Sequence, residues 1–476
     1  MAALHFALDI NQSHSVKAAI ISVHMLSIFK KYTKIFQSVD KDHKRIVRGL
    51  FLVSAFIFIG KLAGAAKEVA IAYKFGIGEI VDLFLLAFTF AVWLPGIFAA
   101  VINTVYVPII HKLSPKEKPR FKEQFVGITF IFSSFTALIL IWIFPYALEV
   151  LSSNWSLENR EQVRKLALGF APLASLGLIS ATFSAMLLAE EHHSNTLLEV
   201  IPSLVLTIFV IFWPIPQTID PLVWGTMIGF TMQTIGLFFL LKSAKIPTKP
   251  AFSFSSPGWT MLKENIGVVL LAHVIMSFVD PVGIYIASTL GTGNASGLGY
   301  STRILSLFLT LGATAVGRAI LPVLSNTDRD INNHSKLAFQ WGLILFVAGL
   351  AAAVIAWLIT PQLVKILLER GAFTPDDSAS VSAAVRFGVL QFPFYFAGIV
   401  LAQYFISIRK FNIILISAII ALSMKVVFSV LLSPVFSYSG IILASVPMYM
   451  SNNLLFIICL IRQRKLEVKQ IKKSDL

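Results

Sequence analysis

Cysteine is nearly absent from this sequence: Cys459 is the only one in 476 residues. One thiol inside an apolar run supports neither a disulfide framework nor a thiolate metal site. Charge is scarce too. Asp, Glu, Lys and Arg make up 13% of the chain, about half the share of roughly 25% in a soluble protein. Acidic residues are the scarcer sign, 24 against 39 Lys and Arg. No GxxxxGK[ST] sequence occurs, so ATP is not expected to drive the chain directly. No nucleophile triad or paired-carboxylate constellation stands out, which points away from an enzyme. His192 and His193 are adjacent in a short loop, where neighbouring side chains diverge, and they read as solvated rather than metal-binding. No cofactor is implied.

What the chain has in abundance is apolar sequence, at 57%. Runs of about 18 or more apolar residues recur, each long enough to cross about 30 Å of hydrocarbon. A backbone in lipid must satisfy its own hydrogen bonds, and continuous runs without alternation select helices over a barrel. The pattern predicts an all-α integral membrane protein of about twelve transmembrane helices, near 48–72, 80–108, 125–148, 165–189, 196–213, 220–242, 264–290, 296–323, 337–360, 376–406, 411–433 and 438–461. Basic residues sit in short loops beside the spans, an arrangement that suits a membrane and not nucleic acid. With the N-terminus inside, the cytoplasmic side carries about 27 Lys and Arg. The opposite side has Lys74, Arg160, Arg164, Lys165, Lys365 and Arg370. Both termini are therefore expected in the cytoplasm. Val16 to Val39 reads as a basic amphipathic surface helix or as a plain tail, and Pro361 to Arg370 as a second interfacial segment. Thr374 or Asp376 is positioned to cap the span that follows.

An internal duplication is visible. Phe75-Gly-Ile-Gly78 opens the second span and Pro108 closes it; Leu290-Gly-Thr-Gly293 opens the eighth and Pro322 closes it. The copies lie six spans apart and share orientation, which predicts two six-helix bundles related by a pseudo-two-fold axis along the membrane normal. The expected organisation is a basic N-terminal segment (1–47), a first bundle (48–243), a cytoplasmic linker (244–263), a second bundle (264–461) and a basic tail (462–476).

Ionisable residues inside spans cost about 2.5–3.5 kcal/mol each on insertion scales, and mark cavities, partners or substrates unless, as is open for Lys61, Lys67 and Arg318, the side chain snorkels to the interface. The first span carries Lys61, Lys67 and Glu68, with Gly60 and Gly64 on a small-residue face that would let another helix approach. Lys61 and Glu68, seven apart, share a face, while Lys67 points elsewhere. Asp82, Asp280, Arg303, Arg318, Arg386 and Lys425 lie in later spans, and Glu199 sits at the start of the fifth. The cations Lys61 and Arg303, with Lys67, suit a phosphate or diphosphate facing a cavity between the halves. Structural pairing with Glu68, Asp82 and Asp280 is the other reading of the same charges.

Gly60-Lys-Leu-Ala-Gly-Ala-Ala-Lys-Glu68, Phe75-Gly-Ile-Gly-Glu-Ile-Val-Asp82, Tyr106-Val-Pro-Ile109, Gly299-Tyr-Ser-Thr-Arg303 with Ala319-Ile-Leu-Pro322, and Glu369-Arg-Gly-Ala-Phe-Thr374 together resemble the MviN/MurJ-type lipid II flippases, over about Arg48 to Ile461. That family belongs to the superfamily of multidrug, oligosaccharidyl-lipid and polysaccharide exporters, built of two six-helix bundles. By this resemblance Lys61 and Lys67 stand at two family arginines and Glu68 at an aspartate. Asp82 matches the acidic residue after the Gly-x-Gly turn, Arg303 an arginine of the central cavity, and Asp280 an acidic residue of the seventh helix. The chain departs from the pattern at Leu94-Pro95 and Ala99, where the family has two arginines and a glutamate. It also shows no counterpart of the two further C-terminal helices that form a groove for the lipid tail. The resemblance implies a bacterial inner-membrane flippase working by alternating access on a lipid-linked saccharide diphosphate, lipid II or a related surface-glycan precursor. Membrane lipid, a monovalent cation bound at Asp82 or Asp280, and glycan-synthesis enzymes are its implied partners. Gly64, Gly76, Gly78 and Pro95 are the expected hinges. A cation-coupled drug antiporter and a non-transporting scaffold are the alternatives, the first expected to have an apolar or acidic cavity.

Overall fold

The computed structural model describes residues 59–142, 156–190, 195–215, 218–324, 331–408 and 410–474, with the single positions 146 and 192. The expected surface helix at Val16 to Val39 lies outside the described residues. No strand occurs among those described. The chain forms α1 (59–75), α2 (Glu79–Lys112), α3 (Glu117–Trp142), α4 (Leu157–Ala189), α5 (Asn195–Leu198), α6 (Ile201–Phe212) and α7 (Asp220–Ser243). After the linker come α8 (Gly258–Ser277), α9 (Val279–Thr289), α10 (Asn294–Leu324), α11 (Ile331–Leu368), α12 (Pro375–Val389), α13 (Phe392–Ser407), α14 (Phe411–Phe436), α15 (Tyr438–Leu443) and α16 (Ser445–Ser474). Among the described residues nine helical segments are long and apolar enough to cross a membrane, and the pair α12 and α13, bent by 42°, makes a tenth. α1 and α10 occupy the two remaining predicted positions. This is a multi-pass membrane protein.

Local sequence explains most boundaries. Ser156 accepts from the Asn159 N–H to start α4. Thr374 and Asp377 form a reciprocal capping box at α12, so Thr374 is the cap and Asp376 is not. The segment Pro361 to Arg370 is not a separate interfacial helix, because α11 runs unbroken through Pro361 to Leu368. Proline removes the N–H that would serve the carbonyl four residues back, here that of Trp357. Arg386 supplies the missing donor: its Nε reaches the Trp357 carbonyl at 3.1 Å, and its guanidinium lies 4.1 Å from the Trp357 ring centre. The carbonyl left by the interrupted bond is thus satisfied, and the helix continues through Pro361.

The apolar core is divided in a way that matters for function. At the end holding Gly76, Gly293 and Gly371, buried residues of both halves, Phe84 and Phe170 with Leu298, Val385 and Ile441, belong to one continuous cluster. Toward the opposite end the halves have separate cores. One gathers Tyr106, Phe121, Phe125 and Met186 with Trp259 at the start of α8; the other gathers Tyr404, Phe405, Phe456 and Leu460. The halves thus share one core at one end, the fused end, and have separate clusters at the other, where α8 still packs on the first half through Trp259 and Leu270. The linker belongs with the first half: Gln124 of α3 bonds Ser253, Ser255, the Ser256 N–H and the Trp259 indole.

Candidate functional site

The fused end is built by four close approaches between the halves. Asp82, in the first turn of α2 and 3% exposed, accepts from the Gly293 N–H at 2.5 Å and the Ser296 N–H at 2.6 Å. One carboxylate therefore caps the orphan amides at the start of α10, a helix of the other half. The Tyr300 hydroxyl donates to the Gly76 carbonyl at 3.0 Å, and its ring stands edge-on to Phe373 at 5.4 Å. The Ala372 N–H donates to the Tyr73 carbonyl at 2.8 Å. Gly76 has φ +61°, and a side chain there would collide with the Ala372 carbonyl. Gly78 is different: its φ of 176° is ordinary extended backbone.

Below this seal lies a polar group drawn from both halves. Glu68 Oε1 is shared by two cations, Lys67 Nζ at 2.9 Å and Arg303 Nε at 3.3 Å. Helical spacing places Lys67 on a different face of α1, yet its flexible stem brings the ammonium to the same oxygen. Lys67 and Glu68 are 17% and 16% exposed, whereas the Arg303 side chain is 50% exposed. Arg303 contacts the carboxylate through one nitrogen and not through the two-pronged face that carboxylates and phosphates prefer. Lys61, two turns earlier on α1, reaches Thr310 Oγ1 on α10 at 3.4 Å. Three cations and one carboxylate leave this group with an excess of positive charge.

Arg303 also opens onto a larger cavity of about 750 Å³ between α2 and the second half. Trp93, His273, Asp280 and Lys425 line it with Arg303. The Trp93 indole bridges the halves, donating to the Ser277 carbonyl at 3.0 Å and hydroxyl at 2.9 Å. Asp280 is exposed to this space, while Lys425 is 5% exposed and donates to the Ile441 carbonyl at 2.6 Å. The structure therefore brings Lys67, Glu68 and Arg303 together, sets Lys61 beside them, and separates Asp82 at the seal from Asp280 across the cavity. The Arg318 side chain lies outside the described residues. Glu199 sits in the break between α5 and α6, accepting from the Ser184 hydroxyl at 3.2 Å.

One sequence-based expectation changes. No described atom comes within 4 Å of where a Cβ would stand at Gly64, so among the described residues it makes no close helix contact. The close approach falls instead at Gly177, whose Cβ would lie 2.8 Å from Pro95 of α2. Tyr300 and Trp93 carry no role in the sequence reading. Tyr300 stands three residues before Arg303, which puts both on one face of α10, and that spacing is a usable signal. Trp93 offers none.

The family model described as lipid II flippase MurJ matches residues 71–476. The chain belongs to this family. Its relatives include a probable lipid II flippase MurJ of Rhizobium tropici, 25% identical over 419 residues and covering 83% of this chain and 78% of the relative. A second, from Buchnera aphidicola subsp. Baizongia pistaciae, is 23% identical over 416 residues, 84% of this chain and 80% of the relative. Among solved structures, lipid II flippase MurJ in its inward closed conformation superposes with a TM-score of 0.74 at 19% identity, covering 86% of this chain and 87% of that one. The inward-facing conformation of a multidrug resistance MATE family transporter of the MOP superfamily gives 0.66 at 16%, over 88% and 96%. These likenesses establish the two-lobed helical transporter fold. MurJ is a family of transporters and not of enzymes.

The seal makes a prediction about stability. Asp82→Ala should cost about 3 kcal/mol, since two hydrogen bonds to a buried charge are lost. Gly76→Ala should cost about 1–3 kcal/mol through its left-handed backbone and the Ala372 collision. Gly78→Ala should cost less than about 0.5 kcal/mol. Unfolding in detergent measures all three; equal effects at Gly76 and Gly78 would contradict the assignment.

Proposed function

We propose that this chain flips a polyprenyl-diphosphate-linked saccharide, lipid II or a related precursor of an exopolysaccharide or surface glycan, across the bacterial cytoplasmic membrane by alternating access. The half-exposed Arg303 guanidinium on the cavity wall carries this reading. Held by a single contact to Glu68, it keeps donors free for a diphosphate, which Lys67 and Lys61 would join as point charges. Glu68 gives these cations a counter-ion while no cargo is bound. The relatives named above are probable lipid II flippases, which agrees with an anionic lipid-linked cargo. A cation-coupled antiporter for drugs would need an apolar or acidic cavity, and the excess of positive charge argues against it.

The distribution of Lys and Arg assigns the fused end to the outside and both termini to the cytoplasm. On that assignment the cargo enters between the separately cored ends of the halves. The polyprenyl tail stays in lipid, and the seal at Asp82 and Gly76 opens as the halves rock. Gly76 and Pro95 are the positions at which α1 and α2 would bend, with Gly64 and Gly78 neighbouring the movement. Direction follows from the membrane potential. An anionic head group leaving a negative interior gains about 2.3 kcal/mol per charge per 100 mV. Asp82 is a poor site for a coupling cation because both its oxygens are taken by backbone amides. Glycan-synthesis enzymes are the expected suppliers and consumers of the cargo.

Rescue of cells depleted of their own lipid II flippase tests the cargo and the site. The wild-type chain should rescue, and Arg303→Ala at equal membrane level should lose at least about tenfold, the value of one charged hydrogen bond. A fully active Lys67→Ala/Arg303→Ala double variant would overturn the site. Failure of the wild type would remove lipid II as the cargo. Collapsing the membrane potential should slow flipping in the same cells; an unchanged rate would overturn the proposed driving force.

A further inference from the structure

Lys425 lies midway along α14, at 5% exposure, and the flipping scheme makes no use of it. Its ammonium donates to the Ile441 carbonyl at 2.6 Å and to the Ser445 hydroxyl at 2.7 Å. Both acceptors belong to the break in the last span, between α15 and α16. Carbonyls in the final turn of a helix have no partner within it, and Ile441 is in that position. Asp280, in the first turn of α9, lines the same cavity as Lys425. Tyr449, one turn beyond Ser445, lines the cavity beside them.

A carbonyl freed at a broken transmembrane helix, a hydroxyl and a carboxylate form the kind of oxygen set with which transporters hold a monovalent cation. Here an ammonium already stands in it. A second unit charge bound to the same two oxygens would lie within a few ångströms of the first, and like charges that close exclude one another in a site sheltered from water.

We propose that Lys425 is a tethered cation filling a monovalent-cation site formed by Ile441, Ser445 and Asp280, so that the wild-type chain takes up no free Na+ or K+ there. The positive charge moves with the second half in every cycle and is never released. Removing the side chain uncovers the oxygen set. This inference concerns an ion site and is independent of the cargo, so its failure would leave the flippase reading standing.

The test compares thermal unfolding of the purified full-length chain in NaCl, KCl and choline chloride at equal ionic strength. Wild type should unfold at one temperature in all three salts. Lys425→Ala should unfold at least about 2 °C higher in NaCl or KCl than in choline chloride, as a newly bound ligand requires. Adding Asp280→Asn should abolish that difference. A cation-independent Lys425→Ala chain would overturn the proposal. Where Lys425→Ala does not fold, Lys425→Ser takes its place with the same expectations. Radioactive Na+ supplies a measurement on the unsubstituted protein. Saturable binding to wild type that is lost in Asp280→Asn would overturn the proposal by itself, and no such binding is expected.

Discussion

A helix that ends or breaks in an apolar surrounding leaves amides or carbonyls that water cannot serve, and each must find a partner in the protein. In this chain charged side chains provide those partners. Asp82 caps the start of α10, Lys425 takes the carbonyl freed before α16, and Arg386 takes the one that Pro361 abandons. Lys74 donates to the Val210 and Trp213 carbonyls where α6 stops. Asp82 is the most consequential of them, because its carboxylate belongs to one half and its donors to the other. Breaking that contact would free backbone amides in the second half and a carboxylate in the first. The two would have to be re-solvated or re-paired together, which makes the fused end a two-state element rather than a soft joint.

Capping also separates structural charges from those available for cargo. Intramembrane ionisable groups are functional by default, yet four of the charged residues in the spans or at their ends are occupied with backbone. What remains near the halves' interface is Asp280 on the cavity wall and the group of Lys61, Lys67, Glu68 and Arg303, drawn from α1 and α10. These are the helices adjoining the fused end, so a change there is felt directly at the site. Arg303 faces both the crevice with Glu68 and the central cavity. Exchange of a carboxylate for a diphosphate at one guanidinium is a small movement with a large electrostatic consequence.

Much of the architecture was legible in the residues. Apolar runs located the spans among the described residues, because length and continuity are fixed by bilayer thickness, although α3, α4 and α11 have ends six to eight residues from the expected ones. The Gly76 and Gly293 turns marked the repeat, and both take the left-handed backbone that glycine permits. The cationic pair of Arg303 with α1 was also readable. What could not be read was long-range partnership. Lys67 reaching Glu68, Asp82 capping a helix over two hundred residues away, and Lys425 meeting a carbonyl all depend on which helices become neighbours. Pro361 misled for a related reason, since its effect on α11 is cancelled by Arg386 from the next helix. Helical periodicity reports faces, and it does not report what a long side chain does at its tip.

The central claim is that the fused end must part during transport. Leu85 of α2 and Gly299 of α10 are suited to test it: a Cβ at Gly299 would lie 2.6 Å from Leu85 Cδ1, so replacing both with cysteine removes the clash as it creates the pair. With Cys459→Ser as background, the pair can be joined by a short thiol cross-linker that a reductant cleaves, and flipping measured before and after cleavage. The account predicts that the joined chain is inactive and that cleavage restores transport to the level of the unjoined double variant. A joined chain that flips at the same rate as the cleaved one would contradict it.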